Sequence, residues 1–137
     1  MRWSVIFTDR PPRFGPLWWL VYLRPGFRHV HAARYDGGGR WQVVQVVAHR
    51  LEVSTIPEPD YPARMRESGA RVLEVERDIR REYVPQLGYS CVSVTKALLG
   101  VRGARILTPY GLWSYLLPHG TGHPEGNTRA ATSTSGP

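Results

Sequence analysis

Two strand-like runs, Phe27–Tyr35 and Arg40–Ala48, are joined by Asp36-Gly-Gly-Gly39, and this feature restricts the fold of the chain more than any other. Consecutive glycines supply the positive-φ positions that a tight antiparallel connection needs. A hairpin centred on Gly38 places Gln45 opposite His31 and diagonal to His29, whereas a register shifted by two places it opposite His29. Arg50–Ile56, closed by Pro57, continues the sheet. Arg2–Thr8 alternates, with Trp3, Val5 and Phe7 on one face and Arg2, Ser4 and Ile6 on the other, which predicts a half-buried strand. Arg71–Glu76 reads as another strand.

Helices and breaks fill the remainder. Three prolines keep Arg10–Pro16 irregular, and Leu17–Leu23 reads as a short buried segment closed by the turn signal Arg24-Pro-Gly26. A short helix is expected over Ala63–Ser68, stopped by Gly69. Ser90 is a good N-cap for a helix over Cys91–Leu99, and Gly100 ends it. Thr108 followed by Pro109 opens a second helix over Tyr110–Leu117. The expected fold is therefore α+β: an antiparallel sheet of Arg2–Thr8, Phe27–Tyr35, Arg40–Ala48 and Arg50–Ile56, with the Cys91 helix packed on one face through Val94 and Leu98. Residues 1–118 form the domain, and 119–137 are a Gly/Ser/Thr/Pro-rich tail with no large apolar residue to hold it.

Composition removes several function classes. The chain has 137 residues, 42% of them hydrophobic, enough to bury a core. Its single cysteine, Cys91, excludes an internal disulfide framework and a Cys-rich zinc module. The longest apolar run, Leu17–Leu23, falls far short of the roughly 20 residues that span a bilayer. Asp9, Arg10 and Pro11 interrupt the N-terminus before a signal-peptide core can build. Eighteen Lys+Arg against eleven Asp+Glu give a formal charge of +7, and every cation except Lys96 is arginine. The arginines scatter singly, which does not favour nucleic acid as the partner.

The chemistry-bearing residues are few. Cys91 sits one residue after a helix cap, where free N–H groups and the helix dipole stabilise a thiolate. His29 and His31, two apart on one strand, point to the same face, and either one is a candidate base. Gln45 has the parity to orient an imidazole, the third role of a triad. Zinc is the competing chemistry: His29 and His31 with His49 or Cys91 as further ligands and Asp36 behind them. His-x-His alone is a weak metal motif, so no metal and no cofactor are assigned.

Arg24-Pro-Gly-Phe-Arg-His29, the Asp36-Gly loop with Trp41, Ser90-Cys91-Val-Ser-Val-Thr-Lys-Ala-Leu-Leu-Gly100 and Leu107-Thr-Pro-Tyr110 together resemble small phage and prophage proteins over residues 17–117. Their order is similar to that of circularly permuted papain-like hydrolases of the NlpC type, in which a histidine strand precedes a cysteine helix. The resemblance implies a cysteine hydrolase or acyltransferase with Cys91 as nucleophile, His29 as general base and Gln45 as the orienting residue. Where the phage relatives tend to carry Asp, this chain has Gln45, which can hold an imidazole but cannot stabilise imidazolium as a carboxylate does.

Two functions follow as expectations. One is a hydrolase acting on peptide or peptidoglycan. The other is a non-catalytic structural virion component, a tail or head–tail accessory protein on the same fold, whose C-terminal tail is ordered by phage structural proteins. Either places the protein in the host cytoplasm or the virion, with no membrane partner.

Overall fold

The computed structural model describes residues 1–9, 23–47, 50–77 and 90–120. Its elements are β1 (Arg2–Thr8), β2 (His29–Tyr35), β3 (Trp41–Val47), β4 (Arg50–Ile56), α1 (Tyr61–Glu67), β5 (Arg71–Glu76), α2 (Cys91–Leu98) and α3 (Pro109–Leu116). The fold is α+β, an antiparallel five-stranded sheet in the order β4-β3-β2-β1-β5 with helices on both faces. The proline loop after Arg10, all but the last residue of Leu17–Leu23, His49, most of Arg77–Glu82 and the tail beyond Gly120 lie outside the described residues.

The hairpin forms in the register centred on Gly38. Ala32 lies opposite Val44 and Tyr35 opposite Trp41, so Gln45 is next in line to His31. Gly37 and Gly39 take φ of +88° and +73°, as the turn demands. Asp36 steadies the loop by accepting from Gly38 N at 2.8 Å, and this bond, with Arg40 nearby, holds its carboxyl below the usual range.

The two faces of the sheet carry separate clusters. Trp3, Val5, Phe7, Val30, Ala32, Val44, Val46, Leu73 and Val75 pack under α2 and α3. Val94 is buried there and Leu98 packs against the same cluster, as helical spacing from Cys91 requires. Ile6, Ala33, Val43 and Val72 form the smaller second cluster, covered by Tyr61 and Met65 of α1.

One expectation is corrected here. β1 is not half-buried: Ser4 and Ile6 are buried along with Trp3, Val5 and Phe7. The cause is β5, which pairs with β1 on the side away from β2 and makes β1 an interior strand, with α1 closing its second face. Ser4 tolerates this position because its hydroxyl donates to the Glu74 carboxylate on β5 at 3.0 Å.

Local signals set the helix ends. Asp60 accepts from Ala63 N at 3.0 Å, so α1 begins two residues before the expected Ala63. Gly69, at φ +88°, follows its last turn. Thr108 accepts from Gly111 N at 3.1 Å and opens α3 with Pro109 in its first turn. Lys96, the one lysine, donates to the Ile106 carbonyl at 3.1 Å and to the Gly103 carbonyl, fixing the connection between α2 and α3. A 3₁₀ turn, Leu117–His119, follows α3, and Gly120 comes to rest against the backbone of Glu74.

Candidate active site at the opening between β2 and β3

The site is built where the β2–β3 ladder ends. Asp36 N donates to Arg40 O at 3.0 Å, which sets the phase of the hairpin bonds. Even-numbered residues of β2 therefore face β3: Arg34 meets Gln42 and Ala32 meets Val44. The next pair in this phase would be Val30 with Val46, but the paired register stops at Ala32. The Val30 N–H points instead at the thiol of Cys91. Cys91 thus enters the opening between the two strands, where a ladder carbonyl would otherwise accept.

The start of α2 fixes the cysteine. Ser90 accepts from Ser93 N at 3.0 Å, and Ser93 Oγ accepts from Ser90 N at 2.9 Å, a reciprocal capping box. The backbone at Val30, Val92 and Cys91 itself favours the thiolate. Burial outweighs this and pushes the thiol pKa up. At rest Cys91 is a protonated, half-buried thiol held against the apolar core.

The histidines lie across the strand. Alternation turns His29 and His31 to the α1 face, beside Ile6 and Ala33, whereas Val30 faces α2. Their rings sit 5.8 Å apart. Gln45 shares this face and raises the basicity of the His29 ring, but burial dominates and lowers its pKa to about 4. His29 Nε2 is buried without a partner. His31 Nε2 lies 3.0 Å from the Tyr61 hydroxyl, and burial together with His29 lowers its pKa to about 3. Both rings are neutral at physiological pH.

Of the three expected site residues, the structure therefore brings His29 and Gln45 together. It seats Cys91 against the residue next to His29, with no hydrogen bond between thiol and imidazole in the described structure. His31 is tied to α1 through Tyr61, a residue without any signal in the sequence; a lone tyrosine between an N-cap and Pro62 reads only as the start of a helix. The Val30 contact was equally hidden, because a backbone N–H carries no residue signature. For the zinc alternative, no group of three His, Cys, Asp or Glu side chains gathers among the described residues, and His49 lies outside them.

No helix of the described residues is long and apolar enough to cross a membrane. Compared with protein-family models, curated proteins and solved structures, the chain matches none.

Proposed function

We propose that the protein is a small cysteine hydrolase or acyltransferase of the permuted papain-like kind, with Cys91 as nucleophile, His29 as general base and Gln45 as the residue that orients His29. The observation that carries this reading is the placement of Cys91 at the capped start of α2, packed against the cluster that holds Val30, one residue from His29, with Gln45 on the His29 face of the sheet. The resting pair is neutral thiol and neutral imidazole, so activation belongs to general-base catalysis rather than to a preformed ion pair. His29 takes the thiol proton as sulfur attacks an amide or ester carbonyl. The C–S bond forms, and the carbonyl electrons move onto oxygen, stabilised by N–H groups at the start of α2. Collapse expels the amine or alcohol, which receives the proton from His29. Water then cleaves the thioester, or a second nucleophile accepts the acyl group. Peptide or peptidoglycan is the substrate class that the resemblance suggests.

A second reading is favoured by two observations: the raised thiol pKa and the opposite facing of His29. On that reading the chain is a non-catalytic structural component of a virion, and Cys91 is a core thiol.

Acetylation by p-nitrophenyl acetate separates the two. The hydrolase reading expects a stoichiometric acetyl adduct on Cys91, formed at least tenfold faster than on free N-acetylcysteine at pH 7. His29→Ala and Cys91→Ser should each abolish the burst while the far-UV circular dichroism is unchanged. An adduct no faster than that of the free thiol, and indifferent to His29→Ala, removes the enzyme reading and leaves the structural one.

A further inference from the structure

At the end of the sheet where β2 begins, two guanidinium groups lie over two adjoining aromatic rings. Phe27 and Tyr110 pack edge to face with centroids 5.1 Å apart, and Trp113 backs Phe27 at 5.5 Å. The Arg24 guanidinium lies 4.0 Å over the Tyr110 ring, and that of Arg71 lies 4.7 Å over Phe27. Arg71 is seated by Gly26: a Cβ there would fall 2.0 Å from its Nη1, and the backbone sits at φ +84°. Both arginines are exposed, and neither has a carboxylate partner among the described residues. Asp9 is engaged at this end of the sheet, accepting from Gly26 N at 2.5 Å and lying 3.9 Å from Arg28 Nε.

A guanidinium stacked on a ring has little rotamer freedom left to lose, and the N–H groups along its edge stay free for a planar acceptor. A carboxylate matches that edge with two parallel hydrogen bonds. Nucleic acid fits less well, because the ring faces a base would stack on are covered by the arginines and by neighbouring rings. Position links the platform to the thiol. Phe27 lies three residues before Val30, whose N–H meets Cys91, and it shares the buried cluster against which Cys91 packs.

We propose that Arg24 and Arg71, on the Phe27–Tyr110 platform, form a carboxylate-recognition subsite that selects acidic peptides. That these peptides are the acyl substrates of Cys91 rests on the hydrolase reading; that they bind does not.

The test uses the full chain carrying Cys91→Ser, so that binding is measured without turnover. The probes are the acetylated, amidated tripeptides Ala-Glu-Ala and Ala-Gln-Ala, titrated calorimetrically at low salt. The Glu peptide should bind at least tenfold more tightly than the Gln peptide. Arg24→Lys and Arg71→Lys, which keep the charge but lose the planar fork, should each erase most of that preference. Gly26→Ala should do the same by unseating Arg71. Equal affinity for the two peptides, or a preference that survives both lysine variants, overturns the subsite. So does tighter binding of a short oligothymidylate than of the Glu peptide, which would mark a polyanion surface instead. If the Glu preference holds but Cys91 of the native chain is not acetylated by p-nitrophenyl acetate, the subsite stands and the hydrolase reading alone fails.

Discussion

At the scale of single residues, the interior leaves several polar atoms unanswered, among them Trp3 Nε1, His29 Nε2 and His31 Nδ1. His31 is the sharpest case. It is buried in the sheet, its Nδ1 has no partner, and its Nε2 relies on the Tyr61 hydroxyl alone. Tyr61→Phe therefore leaves an imidazole with neither nitrogen paired, a loss of about 1–3 kcal/mol. Urea denaturation should report that loss as a lower midpoint at unchanged m-value. Because Tyr61 also covers the second core cluster, Tyr61→Leu serves as a control for packing. If Tyr61→Phe proves as stable as the parent, the hydroxyl contributes nothing and α1 is held by its apolar contacts.

At the scale of elements, what could be read from the sequence was what short-range pattern decides. The Asp36–Gly39 turn marked the hairpin and left two registers open, of which the fold takes the one centred on Gly38, and Ser90, Thr108 and Gly69 marked helix ends to within a residue or two, because turns and caps are local chemistry. Facing was not legible. Period-two alternation says that His29 and His31 point the same way and that Val30 points the other, but β2 is buried on both sides. Nothing in such a strand announces which side receives the cysteine helix. The placement of β5 beside β1 was hidden for the same reason, since a strand's partner is a long-range fact. The candidate site follows this division: Gln45 beside His29 came from register, whereas Cys91 in the β2–β3 opening came from tertiary packing. The cap that holds Cys91 there is directly testable. Ser90→Ala removes the acceptor of the Ser93 N–H and should cost about 1 kcal/mol. On the hydrolase reading it should also slow acetylation of Cys91 by loosening the N–H groups around the sulfur. Unchanged stability together with an unchanged rate would mean that packing against Val30, not the capping box, positions the thiol.

At the scale of the whole molecule, two buried neutral histidines make stability depend on pH in a defined direction. In the unfolded chain each titrates near its ordinary value of 6.5, while in the fold His29 and His31 resist protonation down to about 4 and about 3. Well above pH 6.5 both states carry neutral rings, and these groups impose no slope. Below it the unfolded chain binds two protons that the folded chain refuses, so stability falls as pH falls. Each histidine contributes at most about 1.4 kcal/mol per pH unit, and the slope fades only as the pH drops through the folded values. Among the described residues, Asp36, whose value is depressed from 3.8, acts with the same sign only nearer that pH. The formal charge of +7 adds a self-repulsion that every further proton increases. Urea midpoints measured at pH 7.5, 6.5, 5.5 and 4.8 should fall slightly over the first interval and then drop steeply. His31→Gln, which cannot titrate, should remove about half of the slope. A flat profile from pH 6.5 to 4.8 would show that water reaches both rings and that the second cluster is more open than its packing implies.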